Sequence, residues 1–172
     1  MNAEHFWQII ESSRSRFDPA RAEGNLEQQL EELREALLRL PPGEVVDFAN
    51  HFRSQMNRAY HWDLWGAAYI IAGGCSDDGF EDFRSWLLSM GRPVFESALS
   101  NPESLLDVAD APGVEDVFFE AFAHLPAQVH EEQTGRELPP YPGAVPPVPS
   151  GERWSEDELH QRFPGLWARY HG

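Results

Sequence analysis

Hydrophobic residues recur three or four positions apart along most of the chain, which is the spacing of one buried helix face. The stripe of the second predicted helix consists of Leu26, Leu30, Leu33, Leu37 and Leu40. Helices are predicted over about 4–17, 25–40, 43–60, 63–72, 77–90, 93–100, 102–109 and 114–125, and a last one begins at 155. The pattern therefore predicts an all-α fold, a compact bundle of about eight or nine helices.

Several residues are predicted to fix the helix ends. Asn25 with Gln28 and Ser155 with Glu158 have the spacing of a capping box, in which each residue bonds the other's backbone N–H. Asp63 is predicted to cap the fourth helix. The body of that helix, 64–72, is apolar on all sides, which predicts a central position in the domain.

The composition agrees with helices rather than a sheet. The 172 residues include only 9 Val, 4 Ile and 1 Thr, the β-branched residues that pack best on a pleated surface. Proline is concentrated in 139–149, which holds 6 of the 14 prolines and predicts an extended segment. We therefore divide the chain into a helical core domain (1–135), a Pro-rich arm (136–153) and a C-terminal helix (154–172) that packs back on the core.

The formal net charge of −16 makes direct contact with nucleic acid or an anionic membrane improbable and favours a basic protein partner. All 13 basic residues are Arg, so Schiff-base chemistry and a phosphate-loop lysine are excluded. One cysteine, Cys75, permits no internal disulfide, and the N-terminus lacks the pattern of a signal peptide. We expect a cytoplasmic protein without a cofactor.

One stretch concentrates polar side chains at the start of the helix predicted over 77–90. Its candidate functional residues are Ser76, Asp77, Asp78, Glu81, Asp82 and Arg84. Two interpretations are open. Ser76 caps the helix, the acids favour its N-terminal dipole and Arg84 pairs with Glu81. Alternatively the carboxylates bind a divalent cation; no metal is expected, but these four acids are the ligands if there is one.

A second candidate site is an aromatic pocket that takes a small molecule. It is built from Tyr60, Trp65 and Tyr69, with His51 and His61 folding near them. The competing interpretation is that these aromatic residues pack in the core.

Some of these residues belong to a longer pattern. The chain carries Phe6-Trp7-x-x-Ile10, then Leu64-Trp65-x-Ala67-Ala68-Tyr69-x-Ile71-x-Gly73-Gly74-x-Ser76-Asp77-Asp78-x-Phe80-x-x-Phe83-Arg84-x-Trp86-Leu87, and later Asn101-Pro102. Over roughly residues 4–125 it resembles a bacterial family, frequent in actinobacteria, that is known only as domain of unknown function 4240. The resemblance implies no activity and no cofactor.

The function predicted from these observations is a non-enzymatic protein-binding or regulatory module with a basic partner. The first alternative is a divalent-metal-dependent enzyme that uses the cluster of Ser76, Asp77, Asp78, Glu81 and Asp82. The second is small-molecule binding in the aromatic pocket.

Overall fold

The structure, a computed structural model, describes residues 1–172 and consists of helices joined by short loops and one long arm. The α-helices are α1 (Ala3–Ser13), α2 (Asn25–Leu38), α3 (Pro42–Arg58), α4 (Trp62–Ala72), α5 (Asp77–Ser89), α6 (Arg92–Ser100), α7 (Glu120–Thr134), α8 (Leu159–Arg162) and α9 (Pro164–His171). Two short 3-10 helices cover Pro102–Asp107 and Glu156–Glu158. The all-α prediction is confirmed. None of the helices combines the length and the apolar character that crossing a bilayer requires.

The central helix is α5 rather than α4. Every residue of α5 from Phe83 to Ser89 is buried, and α1, α3, α4, α6 and α7 pack around it. The apolar helix α4 lies to one side, where it contacts α5, the 3-10 helix 102–107 and α9. Its apolar character on all sides is explained by the C-terminal segment, which covers the face that the core leaves open.

The predicted start of α5, the predicted end of α4 and the predicted start of the C-terminal segment are confirmed. The Ser76 Oγ accepts a hydrogen bond from the Gly79 N–H at 3.0 Å, and Gly73 ends α4 with a left-handed φ of 72°. The Ser155–Glu158 capping box is present, with the Ser155 N–H donating to the Glu158 Oε2 at 3.3 Å.

The predicted cap at Asn25 is wrong. Gly24, with a φ of 96°, precedes α2 and provides no side-chain cap. The buried Asn25 side chain instead accepts from the Asp18 N–H at 3.1 Å and donates to the Gly113 carbonyl at 2.9 Å. Asn25 therefore joins the loop that contains Asp18 to the loop that contains Gly113. The first of these loops follows α1, which ends at Ser13 rather than at residue 17 as predicted.

The predicted cap at Asp63 is also wrong. The His61 Nδ1 accepts from the Asp63 N–H at 3.0 Å, so His61 is the N-cap of α4. Asp63 lies in the first helical turn, where its charge favours the helix dipole and its carboxylate pairs with Arg162 at 2.8 Å.

The helix predicted from Val114 begins only at Glu120. The residue before it, Phe119, is bonded to α5: its N–H donates to the Asp82 carbonyl at 3.1 Å, and its carbonyl accepts from the Ser85 Oγ at 2.7 Å. Because both backbone groups of Phe119 bond α5, they take no part in the i to i−4 hydrogen bonds of a helix. The apolar residues of 114–119 therefore pack from a loop, and the segment predicted as a helix over 102–109 is a 3-10 helix that ends at 107.

The C-terminal segment packs back on α4, as predicted, but it is not one helix. Pro164 begins a new helix, and the residue before a proline is restricted to non-helical backbone, so α8 and α9 are separate. Leu159, Phe163 and Leu166 are buried. The division into core domain, arm and C-terminal helix stays a prediction.

Candidate functional site

The acids that open α5 have separate partners. The Tyr60 hydroxyl donates to the Asp77 Oδ1 at 3.2 Å, whereas Glu81 forms an ion pair with the Arg53 Nη1 at 3.4 Å. No three His, Cys, Asp or Glu side chains of the structure are grouped so that they could hold a metal ion. Asp77 and Asp78 lie in the first turn, where the helix dipole favours negative charge.

Arg84 lies in the interior rather than beside Glu81. Its side chain lies beside the stacked Tyr60 and Phe80 rings, with the guanidinium carbon 4.7 and 4.8 Å from the two ring centroids. The residue is only 8% exposed, and burial lowers the pKa of Arg84. An arginine nevertheless stays charged in a protein, so a buried cation contacts two aromatic rings.

The hydrogen bonds of Arg84 explain this position. Its Nη1 donates to the Met56 carbonyl at 2.8 Å, and its Nε donates to the Phe80 carbonyl at 3.3 Å. Met56 lies in the last turn of α3, and its carbonyl receives no backbone N–H. Arg84 therefore caps the C-terminal end of α3, where a positive charge also favours the helix dipole.

The aromatic residues of the predicted pocket stack on one another. Trp65 lies parallel to Phe80, with centroids 5.2 Å apart and an interplanar angle of 8°. Trp154, from the C-terminal segment, meets Tyr69 at 5.3 Å and Trp65 edge-on at 6.4 Å. Tyr60 joins this stack through Phe80 at 6.1 Å. The rings thus fill the space between them, and none of the five best-formed clefts is lined by Tyr60, Trp65 or Tyr69.

The two histidines named for that pocket lie elsewhere. His51 stacks on Phe6 at 5.4 Å, and its Nε2 is 2.9 Å from the Met1 carbonyl. His61 caps α4. Cys75, the one thiol, is half-buried, and burial raises its pKa to about 11, so it is a poor nucleophile at neutral pH.

The best-formed cleft lies between α3, α5, α7 and the arm, with a volume of about 270 Å³. It is lined by Ala49, Asn50, Phe52, Arg53, Met56, Glu81, Ala123, His124, Pro126, Leu138, Pro139 and Tyr141. Phe52 and Met56 are buried and form an apolar floor. We name this feature the α3–α7 cleft.

The electrostatics of the α3–α7 cleft are dominated by carboxylates. Arg53 pairs with Glu81, and the His124 Nε2 lies 3.4 Å from the Glu120 Oε1. Burial raises the pKa of Asp82, and the charges of Glu120 and Glu81 raise it further. Of these acids Glu81 lines the cleft, whereas Asp82 and Glu120 lie near it, and a fourth acid, Asp78, also acts on Asp82. The edge of the cleft is therefore electronegative.

Sequence reasoning identified only part of this cleft. Glu81 was a candidate, but Phe52 and Met56 followed the helical pattern of core residues, and nothing singled out Arg53. One residue in the sequence could have indicated the cleft. Pro126 lies inside a helix, where a proline marks an irregular position, and it lines the cleft.

Comparison with known proteins gives the family of the chain. Neither the curated proteins nor the solved structures contain a match. The model of a family described as protein of unknown function, DUF4240, matches residues 1–132, which include α3, α5 and most of α7 but not the arm or the C-terminal segment. This match confirms the family number predicted from the sequence, and the chain belongs to the DUF4240 family.

Proposed function

We propose that this protein is a non-enzymatic binding module that takes an arginine or lysine side chain of a basic protein partner into the α3–α7 cleft. The observation that carries the proposal is the combination of an apolar floor with an edge of incompletely neutralised carboxylates. The net charge of −16 supports it, because an acidic surface attracts a basic partner from a distance.

The chemistry of the cleft suits long basic side chains. Such side chains place an apolar stem against hydrophobic surface and keep the charged head among polar groups. Phe52 and Met56 supply the surface for the stem, Glu81 lines the cleft as an acceptor for the head, and Asp82 and Glu120 add negative charge beside it. A volume of about 270 Å³ lies just below the usual range for drug-sized ligands, which agrees with one side chain rather than a cofactor.

Asp82 connects binding with stability. Because its folded-state pKa is raised, ionised Asp82 destabilises the fold, and this penalty disappears as the pH falls through that pKa. We expect Asp82→Asn to raise the free energy of unfolding at pH 7 by about 0.5 kcal/mol, because an amide costs less to bury than a carboxylate and is not repelled by Glu120 and Glu81. The gain should shrink as the pH is lowered. A residue that costs stability but increases binding is typical of functional sites.

Calorimetric titration with a blocked peptide of alternating glycine and arginine tests the proposal. The same peptide with citrulline in place of arginine is neutral and nearly isosteric. We expect the double variant Asp82→Asn/Glu120→Gln to lose at least tenfold in affinity for the arginine peptide. Ala123→Met, which fills the cleft without changing a charge, should lose affinity as well.

The matched control is Glu23→Gln/Glu27→Gln, which removes the same charge from two exposed residues at the start of α2. This variant should keep most of its affinity. If it loses as much as the cleft variant, or if the citrulline peptide binds equally well, the cleft does not recognise a basic side chain and the proposal is wrong.

A further inference from the structure

Arg53 forms a loose ion pair inside the α3–α7 cleft. Its Nη1 lies 3.4 Å from the Glu81 Oε1, and Glu81 takes part in no other ion pair. The two side chains are 43% and 49% exposed, and both line the cleft. A charged N–H donor and a carboxylate normally approach to about 2.7–2.9 Å. The carboxylate that lines the cleft is therefore already in contact with an arginine of the chain, but at a long distance.

A second ion pair of α3 shows the geometry that the first one lacks. Arg58 donates to the Glu96 Oε1 at 2.6 Å and to the Glu96 Oε2 at 2.7 Å, so its guanidinium takes both carboxylate oxygens. Arg53 reaches only one of the two Glu81 oxygens. A guanidinium that binds both oxygens of a carboxylate gains energy and geometric specificity over a single contact. The pairing of Glu81 is thus incomplete.

A basic side chain that enters the cleft has to compete with Arg53 for Glu81. Arg84, the other arginine near this carboxylate, donates instead to two backbone carbonyls. Exposed ion pairs contribute little stability, so Arg53 is displaced at a small cost. A guanidinium from outside is not attached to α3 and can turn to bind both oxygens. An ammonium has no such fork, so it gains little more from Glu81 than Arg53 gives up.

We propose that Arg53 is an internal competitor for the Glu81 carboxylate, which an arginine of the partner displaces and a lysine does not. The inference rests on the proposed function, and it narrows the ligand from basic side chains in general to arginine. Arg53 lowers the affinity for every basic side chain by the same factor. Only the two-oxygen contact of a guanidinium exceeds that loss, so the competition leaves arginine as the ligand.

Calorimetric titration of the full-length chain with blocked peptides of glycine alternating with arginine, lysine or citrulline tests the inference. We expect the original chain to bind the arginine peptide about tenfold more tightly than the lysine peptide. Arg53→Met keeps an unbranched side chain and should raise the affinity for both charged peptides by about threefold to fivefold, the effect of one exposed ion pair. The affinity for the citrulline peptide should not change.

Two further variants separate competition for Glu81 from a general effect of charge. Arg58→Met removes the same charge from the same helix outside the cleft, and it should leave the affinity for the arginine peptide unchanged. In a chain that also carries Glu81→Gln, Arg53→Met should have a much smaller effect, because the contested carboxylate is absent.

The outcomes distinguish this inference from the proposed function. If the arginine peptide binds but Arg53→Met does not raise its affinity, or if Arg58→Met raises it equally, Arg53 is not a competitor and the inference is wrong while the proposed function stands. If the lysine peptide binds the original chain as tightly as the arginine peptide, the selection of arginine is wrong. If no peptide binds either the original chain or Arg53→Met, the proposed function is wrong and the inference fails with it.

Discussion

Replacing Arg84 tests the account of the interior most directly. The change Arg84→Met keeps an unbranched side chain of similar length but removes the guanidinium. The Met56 carbonyl then has no donor, and the Tyr60 and Phe80 rings lose the cation that contacts both of them. The variant therefore isolates the polar role of Arg84 from its packing.

The expected cost follows from these contacts. A hydrogen bond from a charged donor contributes about 1.5–3 kcal/mol, and a desolvated cation over an aromatic face about 2 kcal/mol. Removing the charge also relieves its desolvation, which offsets part of the loss. We expect Arg84→Met to lower the free energy of unfolding by about 2–3 kcal/mol, or roughly 4–12 °C in Tm for a domain of this size. The free energy of unfolding of Arg84→Lys should lie between those of Arg84→Met and the original chain, because an ammonium keeps the charge but cannot reproduce the planar contacts of a guanidinium.

The measurement is urea unfolding followed by circular dichroism, with Arg53→Met as the matched control. Arg53 is a surface arginine whose ion pair with Glu81 is solvent-exposed, so its loss should cost less than about 1 kcal/mol. If Arg84→Met is as stable as Arg53→Met at an unchanged m-value, the buried guanidinium contributes no net stability and the reasoning is refuted. If Arg84→Lys has the same free energy of unfolding as the original chain, a positive charge alone accounts for the stabilisation and the planar shape of the guanidinium contributes nothing.

Three further outcomes are expected. Gly66→Ala should cost about 1–2 kcal/mol and speed amide exchange in α8 and α9, since its new Cβ would lie 2.9 Å from Phe163, whereas Gly43→Ala, with open space around it, should be neutral or stabilising. The coupling of Arg58 with Glu96 in a double-mutant cycle should weaken below about pH 4, because Arg58 lowers the pKa of Glu96 and the pair's stabilisation is lost as that carboxylate is protonated. Millimolar magnesium, calcium, manganese or zinc should leave Tm unchanged relative to EDTA; an ion-selective rise that disappears when the two first-turn acids of α5 become Asn would favour the metal-dependent alternative.

The features that sequence predicted well depend on neighbouring residues. The Ser76 cap, the end of α4 at Gly73 and the box at Ser155 each involve a bond within four residues, so the local pattern contains all of the required information. The wrong predictions concern positions whose partners are far away in the sequence. Asn25 bonds a loop 88 residues away, and the start of α7 is set by bonds between Phe119 and α5.

Arg84 shows why the candidate site was only partly predicted. A helical wheel correctly places it on the side of Asp77 and Glu81, but it gives no information on how far along the helix that side stays exposed. α5 enters the core after its first turns, so Asp77 faces water whereas Arg84, Ser85 and Ser89 are buried. The depth of a residue along a helix depends on its neighbours in space, which a single sequence does not record.

The boundary of the family match is not the boundary of the fold. The match ends at residue 132, yet Leu159, Phe163 and Leu166 are buried beyond it. Gly66, inside the match, lies so close to Trp154, Leu159 and Phe163 that a methyl group at this position would contact all three at 2.9–3.1 Å. Burying three such apolar side chains contributes on the order of 1.5–3 kcal/mol each. We therefore expect a chain ending at 132 to expose the apolar face of α4 and to have a lower free energy of unfolding than the full chain.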